Sequence, residues 1–179
     1  ALIEAGAEVD KARTNDGSTP CYIAAWNGHV EVVRALIEAR ADVNKARTDD
    51  GTTPCCTAAW KGHVEVVRAL IEAGADVNKA RTDDGTTPCY IAVWNGHVEV
   101  VRALIEAGAD VNQATTDDGA TPCWVAADEG HVEVVRALIE AGADVNQART
   151  DNGTTPCYTA AQNGHVEVVR ALIEAGADV

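Results

Sequence analysis

Methionine is missing from these 179 residues altogether, and aromatic residues are scarce, four Trp and three Tyr. No apolar run approaches the ~18 residues that a membrane-spanning helix needs, so no membrane partner is read. Basic charge is also short: 14 Lys and Arg stand against 28 Asp and Glu, for a formal net charge of −14. Nucleic-acid affinity rests largely on Lys and Arg neutralising phosphates, and this balance argues against nucleic acid as a partner. Ala1 to Val9 hold Glu4 and Glu8 and no basic stretch, so they do not read as a signal peptide. They match Ala35 to Val43 nearly letter for letter, and the chain reads as a fragment of a longer array that starts inside a helix of the pattern.

No Cys-x-x-Cys pair and no Gly-rich phosphate loop occurs, which leaves zinc and nucleotides without their usual ligand spacings. Six cysteines are present, and five of them (Cys21, Cys55, Cys89, Cys123, Cys157) recur 34 residues apart. Packed helices lie ~8–10 Å apart, whereas a disulfide wants its Cα atoms within roughly 7 Å. These cysteines therefore read as small buried apolar residues in a reducing, cytoplasmic compartment.

What the chain does have is repetition. Gly-His-Val-Glu-Val-Val-Arg-Ala-Leu-Ile-Glu-Ala runs from Gly28 to Ala39 and returns unchanged at 62–73, 96–107, 130–141 and 164–175. Val30, Val33, Leu36 and Ile37 fall on one helical stripe. A helix this short is not stable alone in water, and within its own copy the stripe has nothing to bury against. Side-by-side copies solve both problems, which predicts a solenoid rather than a compact domain.

The units run 10–43, 44–77, 78–111, 112–145 and 146–179, after a partial unit at 1–9. Each opens on a polar stretch with a turn-forming Asp-Gly or Asn-Gly, as at Asp50-Gly51. Thr53-Pro54 then supplies a capping hydroxyl and a Pro for the first helical position. An Ala-rich short helix to Lys61 follows, then Gly62, the twelve-residue stretch, and Gly74, suited to positive φ after a helix.

Thr53-Pro54, Ala58-Ala59, Gly62-His63, Val66-Val67 and Gly74-Ala75-Asp76-Val77-Asn78, in that order, resemble the ankyrin repeat family over essentially the whole chain. A 34-residue period is the tetratricopeptide length, but about ten non-helical residues between helix pairs do not suit that family. The resemblance implies an all-α ankyrin-repeat solenoid of helix-turn-helix units with projecting β-hairpin-like turns, the extra residue lying in the hairpin. Two departures stand out. The family's Thr-Pro-Leu-His becomes Thr-Pro-Cys-Tyr, so the imidazole that ties neighbouring repeats is missing and aromatic packing must replace it. Arg40 stands where the other copies have Gly, at a position expected to be left-handed.

The copies differ only outside the second helix. In ankyrin-like proteins the turn tips and first helices line the concave groove that receives partners, and here the variation falls there. All seven aromatic residues occupy two slots, i and i+4, of the first helix: Tyr22, Tyr90, Trp124 and Tyr158 in one, Trp26, Trp60 and Trp94 in the other. They predict a displayed aromatic stripe that anchors a partner. The Trp slot continues as Asp128 and Gln162, and Glu129 follows. Unit 112–145 holds seven acidic residues, Asp117, Asp118 and Asp128 among them, against Arg136 alone. Acid beside aromatics suits a basic, partly apolar peptide or protein face.

His29 and its four equivalents open the second helix, where local satisfaction of backbone groups is the expected work. His29-Val30-Glu31 with Pro54-Cys55 gives half of a zinc-deaminase signature, but Ala58 stands where the second cysteine belongs. Asp42-Val43-Asn44 begins like a calcium loop and fails at Ala46. Near-identical units also lack the single distinctive constellation an active site needs. The chain is thus read as a protein-binding scaffold, not an enzyme, with no cofactor, no metal and a protein partner. The alternative is a structural, self-stacking array. The last unit keeps Val166, Val168, Val169, Leu172 and Ile173 with no polar capping substitutions, which predicts end-to-end contacts between chains.

Overall fold

The computed structural model describes residues 8–178, so the partial unit expected over 1–9 lies almost wholly outside the described residues. Thr-Pro starts every first helix in the expected way. The Thr19, Thr53, Thr87, Thr121 and Thr155 hydroxyls each accept the amide of the residue three positions on, at 3.1 or 3.2 Å. Pro at the first helical position has no amide to leave unsatisfied. The first helices are α1 (Pro20–Trp26), α3 (Pro54–Lys61), α5 (Pro88–Trp94), α7 (Pro122–Asp128) and α9 (Pro156–Gln162). The invariant stretch gives the second helices: α2 (Val30–Glu38), α4 (Val64–Glu72), α6 (Val98–Glu106), α8 (Val132–Glu140) and α10 (Val166–Glu174). Gly28 and His29 lie just before α2 rather than in it, because Gly28 turns the chain at φ 72°.

These helices stack in register, first helix on first and second on second. Ala58, Ala59, Ala92, Val93, Ala126 and Ala127 are buried between first helices, and small side chains let those helices approach. The ankyrin resemblance makes the side of the first helices and turns the concave one. Val67, Leu70 and their equivalents in α6 and α8 fill the seam behind. Burial pushes the thiols up, to about 11 for Cys21 and about 12 for Cys55, Cys56, Cys89 and Cys123, so they are packed thiols rather than thiolates.

Polar ties repeat along the stack. Each hairpin-like turn closes on itself, as Arg47 N–H donates to the Thr52 carbonyl at 3.0 Å, and joins the next, as Thr82 N–H donates to the Asp50 carbonyl at 2.9 Å. Asn44 Nδ2 donates to the Gly74 carbonyl at 3.0 Å while Asn44 Oδ1 accepts the Asp76 amide at 2.8 Å. Asn78, Asn112 and Asn146 repeat that bridge.

The histidines correct the sequence reading. None caps its own helix. Nε2 of His63, His97, His131 and His165 instead meets the carbonyl of Trp26, Trp60, Trp94 and Asp128 in the preceding repeat, at 3.2, 3.1, 3.2 and 2.9 Å. An imidazole therefore does tie neighbours, from a slot in the invariant stretch. Glycine makes room for it: a Cβ on Gly28, Gly62, Gly96 or Gly130 would meet the next repeat's imidazole at 2.7 or 2.8 Å, whereas one on Gly164 would meet nothing. Arg40 adopts φ 64°, the one non-Gly positive φ among the described residues, as its slot requires.

Candidate functional site

Where the two aromatic slots point depends on the neighbour each meets. The Tyr slot faces the next repeat. Tyr22, Tyr90 and Trp124 are buried there, so the expected stripe of seven displayed rings is corrected to the Trp slot and Tyr158. The guanidinium carbon of Arg47 lies 5.5 Å from the Tyr22 ring centre, and that of Arg149 lies 4.6 Å from Trp124. Trp124 Nε1 also donates to Thr154 Oγ1 at 3.2 Å. Tyr158, in the last described repeat, is 58% exposed. The Trp slot faces the concave side. Trp60 is 43% and Trp94 52% exposed, while Trp26 is half-buried.

Trp26 and Trp60 meet edge to face, their centroids 5.4 Å apart. Lys61 Nζ lies over both, 4.2 Å from Trp26 and 5.2 Å from Trp60. One repeat on, Trp60 and Trp94 line a groove of about 320 Å³ together with Ile91, Asn95 and Arg81. Tyr90 braces Trp94 from behind, edge-on at 6.5 Å. Arg81 is held by Asp83, with Asp84 at 3.6 Å and Asp50 at 3.9 Å.

The acidic residues divide. Asp117 and Glu129 are exposed, as is Gln162. Asp118 is largely spoken for: it accepts the Thr115 hydroxyl at 2.6 Å, the Ala120 amide at 3.0 Å and Arg149 Nη2 at 2.7 Å. Burial alone would raise this carboxyl, but the hydrogen bonds from Thr115 and Ala120 and the Arg149 charge hold it below the usual range. Asp128 is half-buried and turned into the junction, accepting Thr159 Oγ1 at 2.5 Å and Asn163 Nδ2 at 2.9 Å. Of the acidic candidates, Asp118 and Asp128 are thus hydrogen-bonded within the stack and Asp117 and Glu129 are exposed.

The family pattern for ankyrin repeats in three copies matches residues 41–115 and 112–179, and that for a single ankyrin repeat matches residues 16–49. The chain belongs to the ankyrin repeat family. No curated protein matches it. Ankyrin repeats are generally protein–protein interaction modules and typically non-enzymatic scaffolds. Among the described residues no helix of this ankyrin stack is long and apolar enough to cross a membrane.

Ile91, Arg81 and Asn95 line the groove yet are absent from the sequence-based set. Ile91 was hidden because its slot varies among apolar and Thr residues in the manner of any core position. Arg81 belongs to a hairpin, and only the stacking of repeats brings it to the groove beside Trp60. A signal for Lys61 did exist: its slot holds Asn in three of the five units.

Proposed function

We propose that this ankyrin stack is a protein-binding scaffold that receives a partly basic, partly apolar partner segment on its concave side, with Trp60 and Trp94 as anchors. One observation carries the reading. Two indoles, each roughly half exposed, line the same groove of about 320 Å³, and large exposed aromatics held rigid by their neighbours are what binding surfaces concentrate. Carboxylates at Asp83, Asp117 and Glu129 and the formal charge of −14 favour a basic partner. Changing Trp60 and Trp94 together to Ala leaves the caps, the buried Ala contacts and the His ties in place, so the variant keeps its helical circular dichroism. Its capture of protein from a lysate falls at least about tenfold, the loss expected of two anchors. Capture that survives the double change rejects the groove.

A second reading has its own observation. On the last repeat Tyr158, Val166 and Ile173 are exposed, whereas within the stack the Tyr158 slot is buried and the other two are half-buried. This face is the one that elsewhere in the chain receives another repeat, so a second copy stacked head to tail fits it. Sedimentation at rising concentration tests it. Ile173→Glu abolishes concentration-dependent growth in mass if the copies stack, and the Trp changes leave that growth untouched.

A further inference from the structure

We infer that the groove between Trp60 and Trp94 is a seat for a lysine side chain of the partner, an inference that rests on the concave-groove reading above. The chain carries its own precedent one repeat earlier. Lys61 sets its ammonium 4.2 Å from the Trp26 ring and 5.2 Å from the Trp60 ring, so two successive Trp slots hold one cation between them. Cations are drawn to indole faces by the ring quadrupole. Advancing by one period, the two successive Trp slots are Trp60 and Trp94, and the counterpart of Lys61 is Asn95. Asn95 is neutral, and its Nδ2 turns back to donate to the Ile91 carbonyl at 2.8 Å. The second pair shares Lys61 through Trp60 but has no lysine of its own beside Trp94, and about 320 Å³ of groove lies where that side chain would be.

The rest of the groove suits the same occupant. Ile91 offers an apolar contact for a lysine stem, which buries its methylenes readily while its head stays polar. The one cation lining the groove, Arg81, is outnumbered by Asp50, Asp83 and Asp84. Past Trp94 the next repeat puts Asp128 in the Trp slot and Glu129 in the Asn95 slot. A second positive charge arriving here meets excess acid.

The indole N–H signals of the whole chain, assigned by single Trp→Phe variants, report the seat by NMR. Two probes are titrated, the capped tripeptide acetyl-Leu-Lys-Leu-amide and its norleucine counterpart. The lysine peptide shifts the Trp60 and Trp94 signals to saturation, binds roughly fivefold tighter than the norleucine peptide, and weakens as salt is added. Asn95→Lys, which installs the residue the second repeat already tolerates at this slot, lowers lysine-peptide affinity to the norleucine level. Equal affinity for the two peptides, or unchanged lysine binding in Asn95→Lys, overturns the lysine seat while the groove stands. Silence of both indoles toward both peptides overturns the seat as well. The groove itself falls only if Trp60→Ala with Trp94→Ala also leaves partner capture intact.

Discussion

Between the first and second repeats, Trp26 meets Trp60 and Lys61 covers both rings. Between the fourth and fifth, the same slot holds Asp128, whose carboxylate ties down Thr159 and Asn163. Yet the two junctions are closed by the same further tie, an imidazole on the preceding carbonyl, His63 on Trp26 and His165 on Asp128. Invariant groups carry the stacking, and the variable slot is left to decide whether the concave wall is aromatic or hydrogen-bonded. A solenoid can therefore alter its binding face one repeat at a time without rebuilding its junctions.

The largest expected effect tests whether the imidazole tie is what the junctions share. Gly96 and Gly164 both sit at positive φ, 70° and 74°. A Cβ at Gly96 meets the His131 ring at 2.8 Å, and one at Gly164 meets nothing within 4 Å. Gly96→Ala should cost about 2–3 kcal/mol, conformational strain plus a displaced tie, and Gly164→Ala about 1 kcal/mol from strain alone. Urea denaturation of the two variants checks the gap. Equal losses would mean that the histidines contribute little to stacking.

Next comes a pair of substitutions predicted to have opposite signs at one slot. Thr159 is buried and donates to Asp128, whereas Thr57 is fully buried with no partner for its hydroxyl, because Trp26 stands where Asp128 stands three repeats later. Thr159→Val should destabilise by about 1 kcal/mol or somewhat more, and Thr57→Val should stabilise by about 1 kcal/mol. Melting midpoints moving apart in that way confirm that the first-helix junctions differ in chemistry. Midpoints moving together would reduce both threonines to packing.

How much of this could be read beforehand follows the range of the interactions. Thr-Pro caps, the second helix and the left-handed slot at Arg40 are set by neighbours within a few residues, so the letters alone revealed them. The wall built from Trp60, Ile91 and Arg81 joins three different helices and turns, and spacing along the chain does not say that they meet. The histidines show the limit most clearly. A His after Gly at a helix start invites a local capping role, and only stacking reveals that its partner lies 37 residues back. Likewise the Tyr and Trp slots share a helix face on paper, but the next repeat buries one and leaves the other open. Periodicity gives the repeat. The neighbour it packs against decides which side chains remain for binding.

Arg40 extends the comparison to the backbone. Its φ of 64° lies in the left-handed region, as do the 86–92° of Gly74, Gly108, Gly142 and Gly176 in the same slot, a conformation any side chain with a Cβ resists. Arg40→Gly should stabilise the first repeat by about 1 kcal/mol. In Gly74→Arg the reverse loss should appear, also about 1 kcal/mol, since the space beside Gly74 is open and only strain is added. Unequal magnitudes would point to a contact made by the Arg40 side chain itself.

The smallest effect concerns the turn carboxylates, and it separates the two ends by pH. Asp50 takes Arg47 at 3.6 Å and Arg81 at 3.9 Å, and Asp118 takes Arg149 at 2.7 Å. In both, burial works against the charge while hydrogen bonds from the turn and the guanidinium charges prevail, leaving each carboxyl below its ordinary range. A lowered folded value means stabilisation that is fully present above the unfolded value and lost as pH falls through the folded one. Asp118→Asn keeps an oxygen for Thr115 and Ala120 but removes the charge and the acceptor that faces Arg149. Asp151 still holds Arg149 at 2.6 Å, so the loss at neutral pH should be about 0.5 kcal/mol. That loss should shrink as pH falls and vanish below the lowered folded value, where Asp118 is protonated in wild type too. A difference that persists in acid would assign Asp118 a packing role instead of an electrostatic one.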